Sequence, residues 1–275
     1  MGPQDGHRYG ETSGLPMGCL HQGCDKLTMA YGIPYKGSKN KIAGWVVSHF
    51  PEAEHFYDVF AGGCAVAHAA MLSGKFKSFH LNDIQEQYPR MFVDAVRGKF
   101  KDGAAAVTRE EFHRMKNTDP YVAACWSFGN NCRNYLWGKD IEEIRYVACD
   151  MVLNPSWERR FECYKKLMKT PGPLPKLDPV QRLKRLQVSG VPPVEITVTG
   201  LDYADIAFEK DSVVYCDPPY SGTDGYGMEF DHCRFYDWLR ELPCPAFVSE
   251  YSMPDDFTEI GSISKTCSLP AHGGG

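Results

Sequence analysis

The sequence predicts an α/β fold, a mostly parallel sheet covered by helices on both faces and interrupted by an inserted helical module. Three observations carry this. Short apolar runs alternate with helical stretches from residue 29 onward, a pattern that gives parallel sheets. Residues 137–191 break that alternation with charged helical sequence and proline-rich stops at Pro171, Pro173 and Pro175. Strand-like runs then resume at residues 194–198.

Residues 1–28 mix Gly, Pro, Asp, His and Ser without periodicity and predict a loose tail. The stretch Ile33 to Asn40 is turn-rich, and residues 41–50 have helical spacing through Ile42, Trp45, Val46 and His49. Residues 55–60 predict a buried strand, Ala61-Gly62-Gly63 a tight turn and residues 64–73 an alanine-rich helix. A second strand follows at 76–82 and a helix at 84–96. Residues 108–116 predict a short helix whose Thr108 and Glu111 have capping-box spacing. Residues 121–128 read as a further strand, and 213–216 and 246–250 as the last two. The expected domains are therefore a catalytic one in two segments, 29–136 and 192–275, around an insertion at 137–191.

Composition narrows the class. The 275 residues are 43% hydrophobic and 24% charged, as in ordinary globular chains. No run approaches a membrane span, and residues 1–27 lack a secretory apolar core, so a cytoplasmic protein with no membrane partner is expected. The eleven cysteines contain no CxxC pair, and Cys125, Cys149 and Cys216 lie in apolar stretches, which suits buried free thiols. Cys19, His21 and Cys24 make at most half a zinc site, so no metal is expected. The net charge of −5 hides a local reversal: residues 158–185 hold nine basic and three acidic side chains. By itself such a run describes a solvated helical face. The oligomeric state has no signal in the sequence.

The strongest chemical signal is Asp217-Pro218-Pro219-Tyr220, directly after the apolar run 212–216. That places it at the carboxyl end of a central strand, the edge where open α/β sheets bind ligands. Two prolines stiffen the loop and leave its carbonyls as acceptors. An exocyclic amine on a purine is a poor nucleophile because its lone pair is delocalised. A carboxylate and a backbone carbonyl, each accepting one N–H, would hold it in a reactive form, and Asp217 and Pro218 can supply them. Tyr220 can stack on the base. Transfer by in-line displacement then needs positioning and electrostatics but no covalent enzyme intermediate.

Phe60-Ala61-Gly62-Gly63 is the second signal, a glycine turn that lets backbone approach a nucleotide-like ligand at a helix start. Asp58, within the preceding strand, joins this set. The turn lacks GxGxxG spacing, which counts against a nicotinamide or flavin oxidoreductase. Asp83, 20 residues after Gly63, is placed either for ribose hydroxyls or as a helix N-cap.

In order, Tyr35-Lys36-Gly37-Ser38-Lys39, Phe60-Ala61-Gly62-Gly63, Asn82-Asp83, a long insertion and Asp217-Pro218-Pro219-Tyr220 resemble the Dam-like DNA adenine-N6 methyltransferases, the phage-encoded members most. The similarity spans about residues 29–269 and includes the stretches 126–131 and 247–254. It implies a Rossmann-like sheet that uses S-adenosylmethionine to methylate the amine of a flipped-out adenine in duplex DNA. It implies cofactor contacts from Tyr35, Lys39 and Asp83, a double role for Asp217, and target recognition by the insertion. Phosphate contacts would then come from Arg159, Arg160, Lys165, Lys166, Lys169, Arg182, Lys184 and Arg185. Cytosine N4, an RNA base or a glutamine side chain are the competing acceptors, and a binding relic without turnover is the non-enzymatic alternative. Cys64 and Val59 depart from the family pattern. So does the end of the chain just after residues 265–269, where the family continues into a last strand; an exposed sheet edge and a truncated product are expected from that.

Overall fold

The computed structural model describes residues 30–102, 104–170, 177–220 and 230–263. The expected tail at 1–28, the cysteines and histidine at 19–24, the proline stops at 171–175 and the sequence after 263 lie outside them. Five strands, β1 (His55–Asp58), β2 (Ser78–Asn82), β3 (Glu195–Thr199), β4 (Ser212–Cys216) and β5 (Ala246–Val248), form one sheet in the order β3-β2-β1-β4-β5. Every pairing is parallel. The order reverses between β1 and β4, which are neighbours although 154 residues separate Asp58 from Ser212. Such a switch point opens a crevice beyond the strand ends.

Alternation along the strands supplies both layers of the core. Phe56, Val213 and Tyr215 pack on one face with Phe79, Phe92 and Trp126. Tyr57, Val214 and Cys216 point the other way, against Tyr203, Phe235 and Leu239. Two faces covered is why β4 is buried at all five positions and reads as a continuous apolar run.

The first four helices lie close to their expected places: α1 (Ala43–Ser48), α2 (Ala65–Ser73), α3 (Gln87–Val96) and α4 (Arg109–Met115). The α4 capping box is complete: Thr108 Oγ1 accepts from Glu111 N–H at 3.2 Å while Glu111 Oε2 accepts from Thr108 N–H at 2.8 Å.

The strand expected at 121–128 is instead a helix, α5 (Pro120–Cys125), followed by a tight turn. Asp119 Oδ1 accepts the N–H groups of Tyr121 and Val122, and Pro120 has the φ of a first helical residue. That start signal outweighs an apolar run too short to show its period.

The 137–191 stretch folds as α6 (Glu142–Leu153), α7 (Trp157–Met168) and α8 (Asp178–Leu186). It does not stand apart as one unit. The hairpin of α6 and α7 has its own small core, Val147, Ala148, Cys163 and Leu167, whereas Leu183 and Leu186 of α8 join the main cluster beside the sheet. The last helix, α9 (His232–Arg240), covers the opposite face through Phe235 and Leu239.

Candidate active site

A cavity of about 580 Å³ sits at the carboxyl ends of β1, β2 and β4. Each of those strands delivers an acid to it, Asp58 as the last residue of β1, Asp83 just after β2 and Asp217 just after β4. The glycine turn, the Tyr35–Lys39 loop and Pro218, Pro219 and Tyr220 line the same space. Residues far apart in the chain therefore meet at the switch point.

Lys39 and Asp217 are in direct contact. The ammonium donates to both carboxylate oxygens at 2.6 Å, with the lysine side chain 10% and the aspartate 20% exposed. Lys39 Nζ also stands 4.7 Å from the centre of the Tyr220 ring. The Tyr220 hydroxyl is held neutral, its pKa pushed up first by burial and then by the neighbouring Asp217 charge.

Asp58 has the opposite problem. Its Oδ1 is buried without a hydrogen-bond partner, and burial, reinforced by Asp217, lifts its pKa well above the carboxylate range. Asp83 is both a ligand-facing residue and a local brace. Its Oδ2 accepts Gly62 N–H at 2.8 Å and its Oδ1 accepts Gln85 N–H at 2.8 Å, while burial raises its pKa against the effect of those bonds.

The turn needs its glycines because Tyr35 lies on them. A Cβ on Gly62, whose φ is +45°, would stand 2.8 Å from Tyr35 Cε1, and one on Gly63 2.6 Å from Tyr35 Cβ. Cys64 follows with φ 55°, a conformation in which glycine would be at ease, and its buried thiol is kept protonated by desolvation. Phe60 lines the same cavity while packing onto Tyr203 and Phe235, and Ala61, also in its wall, donates its N–H to Asn82 O at 2.8 Å.

His68 of α2 ties the loop to the sheet. Gly32 N–H donates to its Nδ1 at 3.0 Å, and burial lowers its pKa to about 4. The unfolded chain binds that proton near the ordinary 6.5, so stability from this group is complete above pH 6.5 and is lost as pH falls toward 4. The loss amounts to about 3 kcal/mol at most. Denaturant unfolding of wild type and His68→Asn at pH 7.5, 5.5 and 4.5 should show a shallower acid-side decline in the variant. Identical declines would remove His68 as its source.

The basic residues of the insertion divide. Arg182 and Arg185, expected on a DNA-facing surface, are instead structural. Arg182 donates to Cys125 O and Ser127 O at 2.8 Å, and Arg185 to Tyr31 O and Ile33 O at 3.1 and 2.9 Å. Both guanidiniums bind backbone carbonyls, one at the end of α5 and the other in the 31–33 segment. Arg159 is bound to the buried Asp150 at 2.7 Å, and Lys165 and Lys166 make exposed pairs with Glu162 and Glu143. Arg160, Lys169 and Lys184 are exposed. None of the eight lines the cavity.

Two aromatic residues near these features had no role assigned from sequence. Tyr251, 80% exposed, has its ring 4.6 Å from that of Tyr220. Phe128, 66% exposed, leads a turn in which Gly129, Asn130 and Cys132 all have φ near +58°. That strained turn is held by Asn130 Nδ2 on Ala124 O and by Cys132 N–H on Ser127 Oγ. The run Phe128-Gly129-Asn130-Asn131 carried its turn composition openly, but only the fold shows a large ring presented to solvent.

No helix among the described residues is long and apolar enough to cross a membrane. Among curated proteins, none matches the chain. A family model for D12 class N6 adenine-specific DNA methyltransferases matches residues 35–233, from the cavity-lining Tyr35 to the start of α9. The match covers well over half of the chain and contains each of the three acids that meet at the switch point, and so this chain belongs to the D12 class N6 adenine-specific DNA methyltransferases.

Proposed function

We propose that the cavity at the switch point binds S-adenosylmethionine beside a flipped-out adenine of duplex DNA, and that Asp217 and the Pro218 carbonyl hold the adenine amine for methylation. The observation that supports this most is the convergence of Asp58, Asp83 and Asp217 on one cavity with Lys39 2.6 Å from Asp217. When bound, S-adenosylmethionine supplies an electrophilic methyl group on a positively charged sulfur.

The residues fit that donor. Asp83 keeps acceptor capacity for ribose hydroxyls after its two backbone bonds. The glycine turn brings backbone to the cavity wall beside Tyr35, and Asp58 lines the same space. Lys39 orients Asp217 through both carboxylate oxygens, so that it accepts one amine N–H while the Pro218 carbonyl accepts the other. Tyr220, with Tyr251 beside it, offers a stacking surface for the extruded base. Pro219 keeps the loop rigid.

For DNA, we assign the hairpin of α6 and α7 to target binding and keep α8 with the catalytic core. Arg160, Lys165, Lys169 and Lys184 would contact phosphates, and Phe128 on its strained turn would enter the duplex as an apolar wedge. A cytoplasmic location accords with a DNA substrate. The test is transfer of label from S-adenosylmethionine to duplex DNA, to duplex lacking adenine, to RNA and to protein. Nucleoside analysis should return N6-methyladenine from the first alone. Label on cytosine, on RNA or on protein would replace this proposal with one of its competitors.

A further inference from the structure

Helix α7 carries a feature that methyl transfer does not use. Its inner face buries Cys163 and Leu167 against α6, while Trp157, Phe161, Tyr164 and Met168 stand 46–68% exposed along an adjoining face. Their spacing of four, three and four residues puts them in one stripe. The rings of Trp157 and Phe161 lie 6.1 Å apart and those of Phe161 and Tyr164 6.4 Å apart, each pair within 21° of parallel. Exposed, near-parallel rings of this kind offer flat faces on which successive bases can stack.

Cations border the rings. At 100° per residue, Arg160 and Lys165 fall on either side of the stripe, and Lys165 Nζ is 5.2 Å from the centre of the Phe161 ring. The helix and its cap, 157–169, hold five basic residues against two acidic ones on a chain of net charge −5. Arg159 and Lys166 turn back to α6, where they pair with Asp150 and Glu143, and Arg160 also donates its Nε–H there, to Met151 O at 3.0 Å, so Lys165 and Lys169 are the cations of this helix that make no bond to α6. The exposed pair of Lys165 with Glu162 is of the kind that yields readily to a phosphate. Flat rings interleaved with cations along one track describe single-stranded nucleic-acid binding rather than groove reading.

We propose that α7 is a stacking platform for unpaired bases of single-stranded DNA, separate from the adenine cavity. It rests on the reading that the α6–α7 hairpin faces DNA. Fluorescence anisotropy with a labelled 12-nucleotide oligo(dT) tests it, because that probe contains no adenine for the cavity to hold. Wild type should bind oligo(dT), with affinity falling as salt rises. Trp157→Ala, Phe161→Ala and Tyr164→Ala should each weaken binding by about tenfold, and the triple variant by about a hundredfold or more. Trp157→Phe should stay within about threefold of wild type whereas Trp157→Leu should lose as much as alanine, since a stacking site needs a ring and a merely apolar one does not. These residues are exposed, and unchanged thermal melting would confirm that the variants fold.

Oligo(dT) binding unaltered in the triple variant, or full rescue by leucine, would overturn the platform. So would wild-type dimerisation in sedimentation that the triple variant abolishes, which would make the stripe a contact between two copies. Wild-type methylation of duplex DNA is measured in parallel. Its presence with unaltered oligo(dT) binding sinks the platform alone, and its absence sinks the proposed function beneath it.

Discussion

Asp217→Asn should lower kcat for adenine methylation by more than about 10³-fold while leaving the Michaelis constant for DNA within a few-fold. The substitution keeps the size of the side chain but removes its charge and replaces one acceptor oxygen with a donor. The amine then meets an N–H where it needs a lone pair. Losing one preorganised electrostatic partner in a site of this kind commonly costs 10² to 10³ in rate, and here the same change also disturbs Lys39. That lysine is 10% exposed and would lose a carboxylate at 2.6 Å. An uncompensated, partly buried charge should destabilise the protein by about 1–3 kcal/mol. The two effects can be separated. Asp217→Asn combined with Lys39→Met removes the orphaned charge and should recover most of the lost stability, yet none of the lost rate. Steady-state kinetics and denaturant unfolding on wild type and the two variants give both numbers. Single-variant activity within tenfold of wild type would place the amine's partner elsewhere.

The legible parts of this protein are those in which chemistry and local order coincide. The run 212–216 and the Asp-Pro-Pro-Tyr that follows announce a buried strand and its functional edge together, because a strand covered on both faces must be apolar throughout. Asp83 follows the same logic, as an acid just past an apolar run, whereas Asp58 lies inside the apolar run 55–60. What the linear order cannot carry is partnership across it. Lys39 and Asp217 are 178 positions apart, and their ion pair depends on β1 and β4 being neighbours at the switch point.

Arg182 and Arg185 show how charge counts mislead. Both belong to the most basic stretch of the chain, yet Pro179, Leu183 and Leu186 bury one side of α8 and carry the two guanidiniums in with it. They go to backbone carbonyls in 31–33 and 125–127. Nothing in a run of lysines and arginines says which of them will find a backbone carbonyl. The misread segment 121–128 is a different case: its Asp119-Pro120 start was in plain view and lost to a six-residue apolar pattern that strands and buried helices share. The aromatic stripe of α7 was equally visible as spacing, but only exposure distinguishes it from an ordinary buried face.

Gly32→Ala should be the most damaging single methyl group that can be added to this protein. Gly32 has φ +67°, and an alanine Cβ there would stand 2.2 Å from Gly63 O and 2.8 Å from both Ala65 Cα and Ala65 N. All three are backbone atoms of the turn and of the first residue of α2, so no side chain can swing aside. The 31–35 segment must lift, and with it go Gly32 N–H on His68 Nδ1 and Ile33 N–H on Gly63 O at 2.9 Å. We expect a stability loss of about 3 kcal/mol or more, in the range that strain and broken buried hydrogen bonds reach together. Affinity for S-adenosylhomocysteine should fall by about a hundredfold, because Tyr35 and Lys39 hang from the displaced segment. Gly190→Ala is the matched control. It has φ +79° with nothing within 4 Å of the added carbon, so it bears only the left-handed backbone cost of about 1 kcal/mol and should bind the donor analogue normally. Calorimetric titration and denaturant unfolding on the two variants isolate contact from conformation. Equal losses in both would mean that the 31–35 segment is not clamped against the glycine turn, and the donor site built on that clamp would have to be redrawn.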